Sequence, residues 1–184
     1  MRKVEVKAYN ECWNSMFEVE ANLLYKIFSS EIIDIHHIGS TSVKGLKAKP
    51  IIDIMPVVTD VNKVDEFNIP MMAIGYVPKG ENGIYQRRYF QKGGDHRTHH
   101  LHFYQFDNHN INRHLAFRDY LISHPDVAKK YGDVKEGLSK RFPYDIESYI
   151  KGKEQLVLEI ELKANAWYQS IRQPDSKNLP TFEL

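Results

Sequence analysis

The sequence has few of the features that mark secreted, membrane-bound or nucleic-acid-binding proteins. It contains one cysteine, Cys12, so it cannot form an internal disulfide. No segment approaches the roughly 18 consecutive apolar residues of a membrane helix, and the first residues do not resemble a secretory signal. An excess of one charge sign is also missing, because 25 basic residues stand against 24 acidic ones. We therefore expect a cytoplasmic protein with no membrane partner and no strong nucleic-acid signal.

The length of 184 residues is enough for one domain with its own hydrophobic core. The sequence shows no internal repeat and no linker that would separate two cores. We expect a single domain over residues 1–172. The segment 173–184 contains two prolines and is predicted to be a loosely held tail.

Hydrophobic spacing predicts helices and strands in a mixed order. Helices are expected at 11–29, 62–74, 110–123, 125–141 and 145–171, with strands at 32–38, 50–58, 84–90 and 98–106. Glycines between the last two strands favour an antiparallel hairpin. The predicted fold class is therefore α/β (α+β), a small mixed sheet flanked by helices and followed by a helical C-terminal third.

A glycine and three hydroxyl side chains follow the first predicted strand, in the segment Gly39-Ser40-Thr41-Ser42. Glycine lets the backbone approach a phosphate closely, and Lys49 lies near enough in sequence to add positive charge. A Gly-Ser pair is also common in ordinary turns, and the nearby lysines could be a solvated surface. Both interpretations stay open on these residues alone.

A carboxylate lies inside the second predicted strand, 13 residues after Ser40. Asp53 is flanked by isoleucines, and a charged aspartate is costly to bury unless a cation or strong hydrogen-bond donors meet it. A functional role for Asp53 is therefore favoured over a turn cap or a simple ion pair with a lysine.

Histidine is unusually frequent, with nine in the chain and four between His96 and His102. His100 and His102 lie two apart on a predicted strand, so their side chains point to the same side. Two such imidazoles can bind a metal ion, and Asp53 on a neighbouring strand would be a natural third ligand. The alternative is a pair of histidines hydrogen-bonded to backbone and solvent. His36 and His37 either join this site or only end the first strand.

Arginines offer further candidates for binding phosphate, since the guanidinium group can donate two parallel hydrogen bonds. Arg87 and Arg88 are adjacent on a predicted strand, so only one of them can face the histidines. We select Arg88, together with Arg118 on a predicted helix. A helical arginine such as Arg118 is also a common surface ion-pair partner.

Several long motifs resemble those of the GrpB-like family, which belongs to the nucleotidyltransferase superfamily. The matching segments are His37-Ile38-Gly39-Ser40-Thr41-Ser42-Val43, Ala48-Lys49-Pro50-Ile51-Ile52-Asp53-Ile54, Arg97-Thr98-His99-His100-Leu101-His102 and His114-Leu115-Ala116-Phe117-Arg118-Asp119-Tyr120-Leu121. The resemblance begins near Tyr9 and extends to about Ala164.

The resemblance implies a nucleotidyltransferase-like mixed sheet flanked by helices. It implies that Gly39 and Ser40 form the phosphate-binding turn and that Asp53 is the first metal-binding acid. In the superfamily pattern a second acid follows two residues later, where this chain has Met55. A thioether is a poor ligand for hard cations, so the usual pair of magnesium ions is not expected unchanged.

We therefore expect a metal-dependent nucleotidyltransferase that acts on a small molecule or a protein. Asp53 is the predicted catalytic residue, and it shares a metal ion with His100 and His102. Predicted phosphate contacts are Gly39, Ser40, Thr41, Lys49, Arg88 and Arg118. The expected cofactor is a divalent ion (magnesium, manganese or zinc), and the expected ligand is a nucleoside triphosphate. Alternatives are a non-catalytic protein that binds a nucleotide or phosphorylated metabolite, and a metal-dependent phosphoester hydrolase.

Overall fold

The computed structural model describes residues 3–172. The predicted loose tail at 173–184 lies outside these residues. The elements are α1 (Cys12–Phe28), β1 (Ile32–Ile38), β2 (Ile52–Val58), α2 (Asn68–Ala73), β3 (Tyr76–Pro78), β4 (Arg87–Lys92), β5 (His99–Gln105), α3 (His109–Ser123), α4 (Pro125–Arg141) and α5 (Ile146–Arg172). Short 3₁₀ helices span Ser29–Glu31, Ser40–Ser42 and Asn62–Phe67.

The five strands form one mixed sheet in the order β1-β2-β5-β4-β3. The two central strands, β2 and β5, run parallel, and every other neighbouring pair is antiparallel. The chain therefore leaves the sheet after β2 and returns through α2 and the β3–β4 hairpin. This register aligns Asp53 with Ile38 on one side and with His100 on the other.

Each face of the sheet is covered by different helices, because successive residues of a strand point to opposite faces. On one face Ile54, Leu101 and Phe103 are fully buried in a core that contains Leu24 and Phe28 of α1. The opposite face carries Asp53, His100 and His102. Apolar positions farther along this second face pack against α3 in a cluster of Ile38, Met55, Val57, Tyr104 and Ile111.

The helical third packs on that second face. Helices α3, α4 and α5 share a core that also takes in Val43 and Leu46 from the loop after β1. Gly152 of α5 allows a close helix crossing, since a Cβ there would lie 2.5 Å from a methyl carbon of Leu138 in α4. The three helices thereby form a wall above the turn that follows β1.

The predicted helix at 62–74 is divided in the structure. Residues Asn62–Phe67 form a 3₁₀ helix, and α2 begins only at Asn68. Pro70 occupies the third position of α2, where a backbone N–H has no intrahelical partner. Proline is therefore tolerated in the first turn of this helix. The predictions also missed β3, which has only three residues.

The other predicted elements agree with the structure to within a few residues, and 125–141 agrees at both ends. The predicted mixed sheet with flanking helices and a helical C-terminal third is confirmed. None of the helices within residues 3–172 is long and apolar enough to cross a membrane.

Candidate functional site

The turn after β1 places its glycine directly against Asp53. Gly39 has a φ of 70°, in the left-handed region that favours glycine. A Cβ at this position would lie 2.8 Å from the Asp53 Oδ2 atom. The hydroxyl of Ser42 donates to the Gly39 carbonyl over 2.6 Å and holds the turn closed. The sequence therefore needs glycine here both for its backbone angle and for its lack of a side chain.

Thr41 joins this turn to the sheet. Its hydroxyl donates to the Ile51 carbonyl over 3.2 Å, and the Nε2 atom of His37 lies 3.0 Å from the same hydroxyl oxygen. The hydroxyl is therefore satisfied when His37 donates from Nε2. Burial lowers the pKa of His37 to about 4, so its ring is neutral near pH 7. Thr41 and His37 thus position the turn, and the Thr41 hydroxyl already has two protein partners.

Asp53, His100 and His102 converge, so the structure brings together the three predicted metal ligands. The Asp53 Oδ1 atom lies 3.1 Å from His100 Nδ1 and 3.5 Å from His102 Nε2. One ligand atom from each of the three residues falls within 4.8 Å of the other two. The alternation of β2 and β5 sends all three side chains to one face, where parallel pairing aligns Asp53 with His100.

The surroundings fix the charges of this group. Burial pushes the pKa of Asp53 upward, but hydrogen bonds from His100 and His102 and their positive potential outweigh it and hold that pKa below its ordinary value. Burial lowers the pKa of His102 despite the attraction of Asp53. Asp53 is therefore held as the ionised carboxylate, which is the form that binds a metal ion.

A cavity of about 390 Å³ opens above the turn and the carboxylate. Gly39, Ser40, Asp53 and His100 form its floor. Side chains of α3, α4 and α5 form its walls; the aromatic and apolar ones are Phe117, Tyr131, Tyr149, Ile150 and Val157. Four basic residues also line it, namely Lys49, Arg113, Lys135 and Lys153. Such a cavity is large enough for a small organic ligand.

Lys135 is the wall residue that contacts the turn directly. Its Nζ atom donates to Ser40 Oγ over 2.7 Å and lies 4.3 Å from the centre of the Tyr131 ring. Only 3% of Lys135 is exposed. Burial, reinforced by the charges of Lys153 and Lys49, lowers the pKa of Lys135 to about 7. A buried lysine whose side chain contacts a hydroxyl and an aromatic ring fits a place where an anion binds.

Lys135 is not among the predicted site residues, although the sequence carries one signal for it. Ala128, Tyr131, Lys135 and Ser139 recur at three-to-four spacing on the buried stripe of α4. A lysine on such a stripe is unusual, because lysine is almost never fully buried without a partner. That pattern marks Lys135 as a functional candidate.

Arg113 and His114 of α3 were also missed, and both line the cavity. Arg113 pairs with Glu161 of α5 over 2.6 Å, and its second terminal nitrogen lies 3.5 Å from His114 Nε2. Burial lowers the pKa of His114 to about 3, so its ring is neutral. Because Glu161 neutralises Arg113, most of the excess positive charge of the cavity belongs to its three lysines.

Arg88 was the wrong choice of the two adjacent arginines as a residue facing the histidines. It is aligned with Phe103, on the opposite face of the sheet, and its Nε lies 2.9 Å from Asp65 Oδ2. Arg87 lies on the same face as His102. The guanidinium of Arg87 donates to the carbonyls of Glu81 and Asn82, and neither arginine lines the cavity.

Arg118 and the remaining histidines lie around this site. Arg118 donates to the His37 carbonyl over 3.1 Å and to Asp119 over 2.7 Å, and it lines a separate groove. His36 lies 3.3 Å from Asp34, and His99 lies on the opposite face near Glu20. Of the predicted phosphate contacts, the structure brings Gly39, Ser40, Thr41 and Lys49 to the cavity with Asp53, and it places Arg88 and Arg118 elsewhere.

The chain belongs to the GrpB family: a sequence model described as "GrpB protein" matches residues 3–163. It is 50% identical over 166 residues to the UPF0157 protein YqkA of Bacillus subtilis, which covers 90% of this chain and 48% of YqkA. The crystal structure of the conserved protein GrpB from Enterococcus faecalis has a TM-score of 0.87 and 43% identity, covering 90% of this chain and 99% of that one. The present chain thus spans about half the length of YqkA.

A more distant comparison concerns the fold alone. The Cid1 poly(U) polymerase structure has a TM-score of 0.50 at 12% sequence identity, covering 74% of this chain and 42% of that one. The sheet and its flanking helices are therefore nucleotidyltransferase-like. At 12% identity the similarity shows the fold alone, and the chemistry depends on the residues of the cavity.

Proposed function

We propose that this GrpB-family protein binds a nucleoside triphosphate in the cavity and transfers its nucleotidyl group to a hydroxyl or another nucleophile of a small molecule or protein. The nucleophile bonds to the α-phosphorus as pyrophosphate leaves, and the proton of the nucleophile is lost to solvent. The observation that carries the proposal is the contact between Lys135 and Ser40, 2.7 Å long, on the floor of a cavity that also holds Asp53. It joins a glycine-serine turn, a buried cation and a carboxylate in one space.

The charge of the cavity favours a polyphosphate ligand. Lys49, Lys135 and Lys153 line it, whereas Glu161 is already paired with Arg113. The single negative charge of Asp53 balances only part of the positive charge of these lysines. Phosphate oxygens next to Lys135 and Ser40 would accept hydrogen bonds from both and would compensate the desolvated ammonium group.

The walls favour a ligand with a flat or apolar part beyond its phosphates. Phe117, Tyr131 and Tyr149 present aromatic surface, and Val157 adds aliphatic surface. Bases stack on such rings with little dependence on sequence, each contact contributing about 1–3 kcal/mol. The same walls exclude water from the reacting phosphate and so limit hydrolysis of the triphosphate.

A divalent ion is part of the proposal, and the residues fit one. Two imidazole nitrogens and one carboxylate oxygen converge within 4.8 Å, a donor set that binds divalent ions in many proteins. When bound, such an ion supplies Lewis-acid stabilisation of phosphate oxygens. Asp53, His100 and His102 would hold it, while Ser40 and Lys135 would orient the phosphates for in-line attack.

Specific features also support two alternatives on the same fold. Met55, fully buried where a second acid is expected, favours a protein that binds a nucleotide or phosphorylated metabolite without catalysis. The nitrogen ligands His100 and His102 favour a metal-dependent phosphoester hydrolase. A transferase differs from both in needing an acceptor before the nucleotide is consumed.

Calorimetry tests the binding step. We expect ATP, GTP, CTP or UTP to bind in the presence of a divalent ion. Ser40→Ala and Lys135→Met should each weaken binding by about 10- to 100-fold, since a hydrogen bond to a charged group contributes ~1.5–3 kcal/mol. Lys129→Met is the matched control, because Lys129 lies on the same helix but is exposed and paired with Asp133. No heat with any of the four nucleotides would overturn the proposal.

The transfer step needs a second measurement. Isotopically labelled nucleotide incubated with metabolite extract or protein should yield a labelled product other than free nucleotide and phosphate. Nucleotide turnover to free products alone would support the hydrolase. Binding without any turnover would support the non-catalytic alternative.

A further inference from the structure

We propose that Asp53, His100 and His102 bind one divalent transition-metal ion that accepts imidazole ligands (zinc, manganese or iron(II)), in place of the two magnesium ions expected for the fold. The inference rests on the proposed function in that this ion would serve the nucleotide cavity. Its own basis is the donor geometry together with the loss of the second acid.

The spacing between the Asp53 oxygen and each histidine nitrogen fits a single small ion. Ligands about 2.0–2.1 Å from a tetrahedral ion stand roughly 3.3 Å apart. The Asp53 Oδ1 atom lies 3.1 Å from His100 Nδ1 and 3.5 Å from His102 Nε2. The same separations also suit hydrogen bonds. The assignment of a metal ion therefore depends on the chemical identity of the donor atoms.

Two imidazole nitrogens and one carboxylate oxygen form a borderline donor set. Magnesium strongly prefers oxygen ligands and octahedral geometry, whereas zinc, manganese and iron(II) accept imidazole. Asp53 is the one acid among the three ligands Asp53, His100 and His102. The position two residues later, where a second acid is expected for the fold, holds Met55. Three protein ligands also leave open positions for water or a phosphate oxygen.

The surroundings of Met55 show that no second oxygen ligand replaces the missing acid there. Its side chain is fully buried in an apolar cluster with Ile38, Val57 and Tyr104. Glu161, the other acid that lines the cavity, has an oxygen 2.6 Å from Arg113. Within the described residues, the carboxylates near this cavity therefore provide one metal ligand and not the two or three of a two-magnesium site.

The Gly39 turn and the strand register orient the metal-binding atoms of Asp53, His100 and His102 towards one another. Gly39 packs against the Oδ2 side of Asp53, close enough that any side chain there would clash. The Oδ1 atom is left facing both histidines. The strand register aligns Asp53 with His100 and keeps His102 on the same face. Both rings are also restrained by Tyr89, whose ring centre lies 5.5 Å from that of His100 and 5.2 Å from that of His102.

Metal analysis of the protein itself tests the inference. The protein is purified without a metal-chelating tag or column, stripped with a chelator, and titrated separately with zinc, manganese, cobalt(II) and magnesium. We expect one equivalent of transition metal to bind, and cobalt(II) to give visible absorption bands typical of imidazole-containing sites of low coordination number. Magnesium should bind at least about tenfold more weakly than zinc.

Variants separate the site from other histidines. His102→Gln and Asp53→Asn should each reduce zinc affinity by more than about tenfold, since even loss of an outer partner of a metal ligand has an effect of that size. His96→Gln is the matched control, because His96 belongs to the same histidine run but is exposed in a loop. Circular dichroism of each variant checks that it is folded.

The outcomes distinguish this inference from the proposed function. Two equivalents of magnesium, or unchanged zinc affinity in folded His102→Gln protein, would overturn the metal assignment even if nucleotides bind. One equivalent of zinc that depends on His102 would support it even if no nucleotide binds. In that second case the transferase proposal fails and the metal site remains.

Discussion

Lys135 in α4 and Ser40 in the turn after β1 are 95 residues apart in sequence, and the Lys135 Nζ and Ser40 Oγ atoms are 2.7 Å apart in space. This hydrogen bond joins the helical third to the edge of the sheet at the floor of the cavity. Because Lys135 is buried beside two further lysines, the bond also concentrates positive charge there. Two of the following predictions depend on that arrangement.

Replacing Lys135 with methionine should stabilise the protein, and the gain should depend on pH. The pKa of Lys135 is lowered from 10.5 to about 7, so the folded state binds fewer protons than the unfolded state between these values. The cost of the buried charge is therefore greatest below about pH 7 and declines as the pH rises towards 10.5. At ~1.4 kcal/mol per pKa unit, the gain is on the order of 5 kcal/mol at low pH, less about 1 kcal/mol for the lost hydrogen bond.

Urea unfolding of wild type and Lys135→Met at several pH values measures this difference. Lys129→Met provides the control, since Lys129 is exposed on the same helix. A stability difference that stays constant from about pH 6 to pH 10 would contradict the lowered pKa.

Polyphosphate binding should take up a proton at mildly alkaline pH. A phosphate group beside Lys135 opposes the repulsion from Lys153 and Lys49 and raises the pKa of Lys135 towards its ordinary value. Calorimetry with inorganic triphosphate, in buffers that differ in ionisation enthalpy, counts the protons bound. We expect up to about one proton at pH 8 and nearly none at pH 6. The uptake should disappear in Lys135→Met, and uptake that persists in this variant would assign it to another group.

Gly39→Ala should destabilise the protein and disturb Asp53. The φ of 70° costs an L-residue about 1–2 kcal/mol, and the added Cβ would lie 2.8 Å from Asp53 Oδ2. Gly45→Ala is a close control, because Gly45 has a φ of 81° in the same loop but nothing within 4 Å of its added Cβ. Denaturant unfolding should show a larger loss for Gly39→Ala, and metal titration should show weaker binding only in that variant. Equal losses in both would mean that the contact with Asp53 is unimportant.

Arg88→Gln should leave nucleotide binding unchanged, whereas Arg113→Gln should weaken it. Arg88 is paired with Asp65 on the far face of the sheet, and Arg113 lines the cavity. The measurement is nucleotide affinity by calorimetry, with thermal unfolding to check the fold of both variants. A strong effect of Arg88→Gln in folded protein would show that the cavity above Asp53 is not the nucleotide site.

Local sequence predicts some elements of the fold well and others poorly. The helix at 125–141 was predicted at both ends because Pro125 begins it and its apolar positions recur at helical spacing. The strand β3 was missed because three residues are too few to show the alternation of a strand, although its partner β4 is the next strand along the chain. The choice between Arg87 and Arg88 failed because strand alternation shows that the two side chains point to opposite faces of the sheet. It does not show which of them shares a face with His100 and His102.

The candidate site divides in the same way. Asp53 and the two histidines were found from sequence because a charged residue among isoleucines and an imidazole at every second strand position are local patterns. Lys135, Arg113 and Lys153 lie on separate helices, and their meeting at one cavity depends on how α3, α4 and α5 pack on the sheet.

Local sequence alone is enough to predict the order and type of most elements and the common face of His100 and His102. These follow from local backbone preferences and from the two-residue period of a strand. The contacts of Asp53 with both histidines and of Lys135 with Ser40 exist only once the sheet and helices are assembled. Those contacts arise from strand order and helix packing, in which residues distant in sequence are brought together by burial of the surrounding apolar surface.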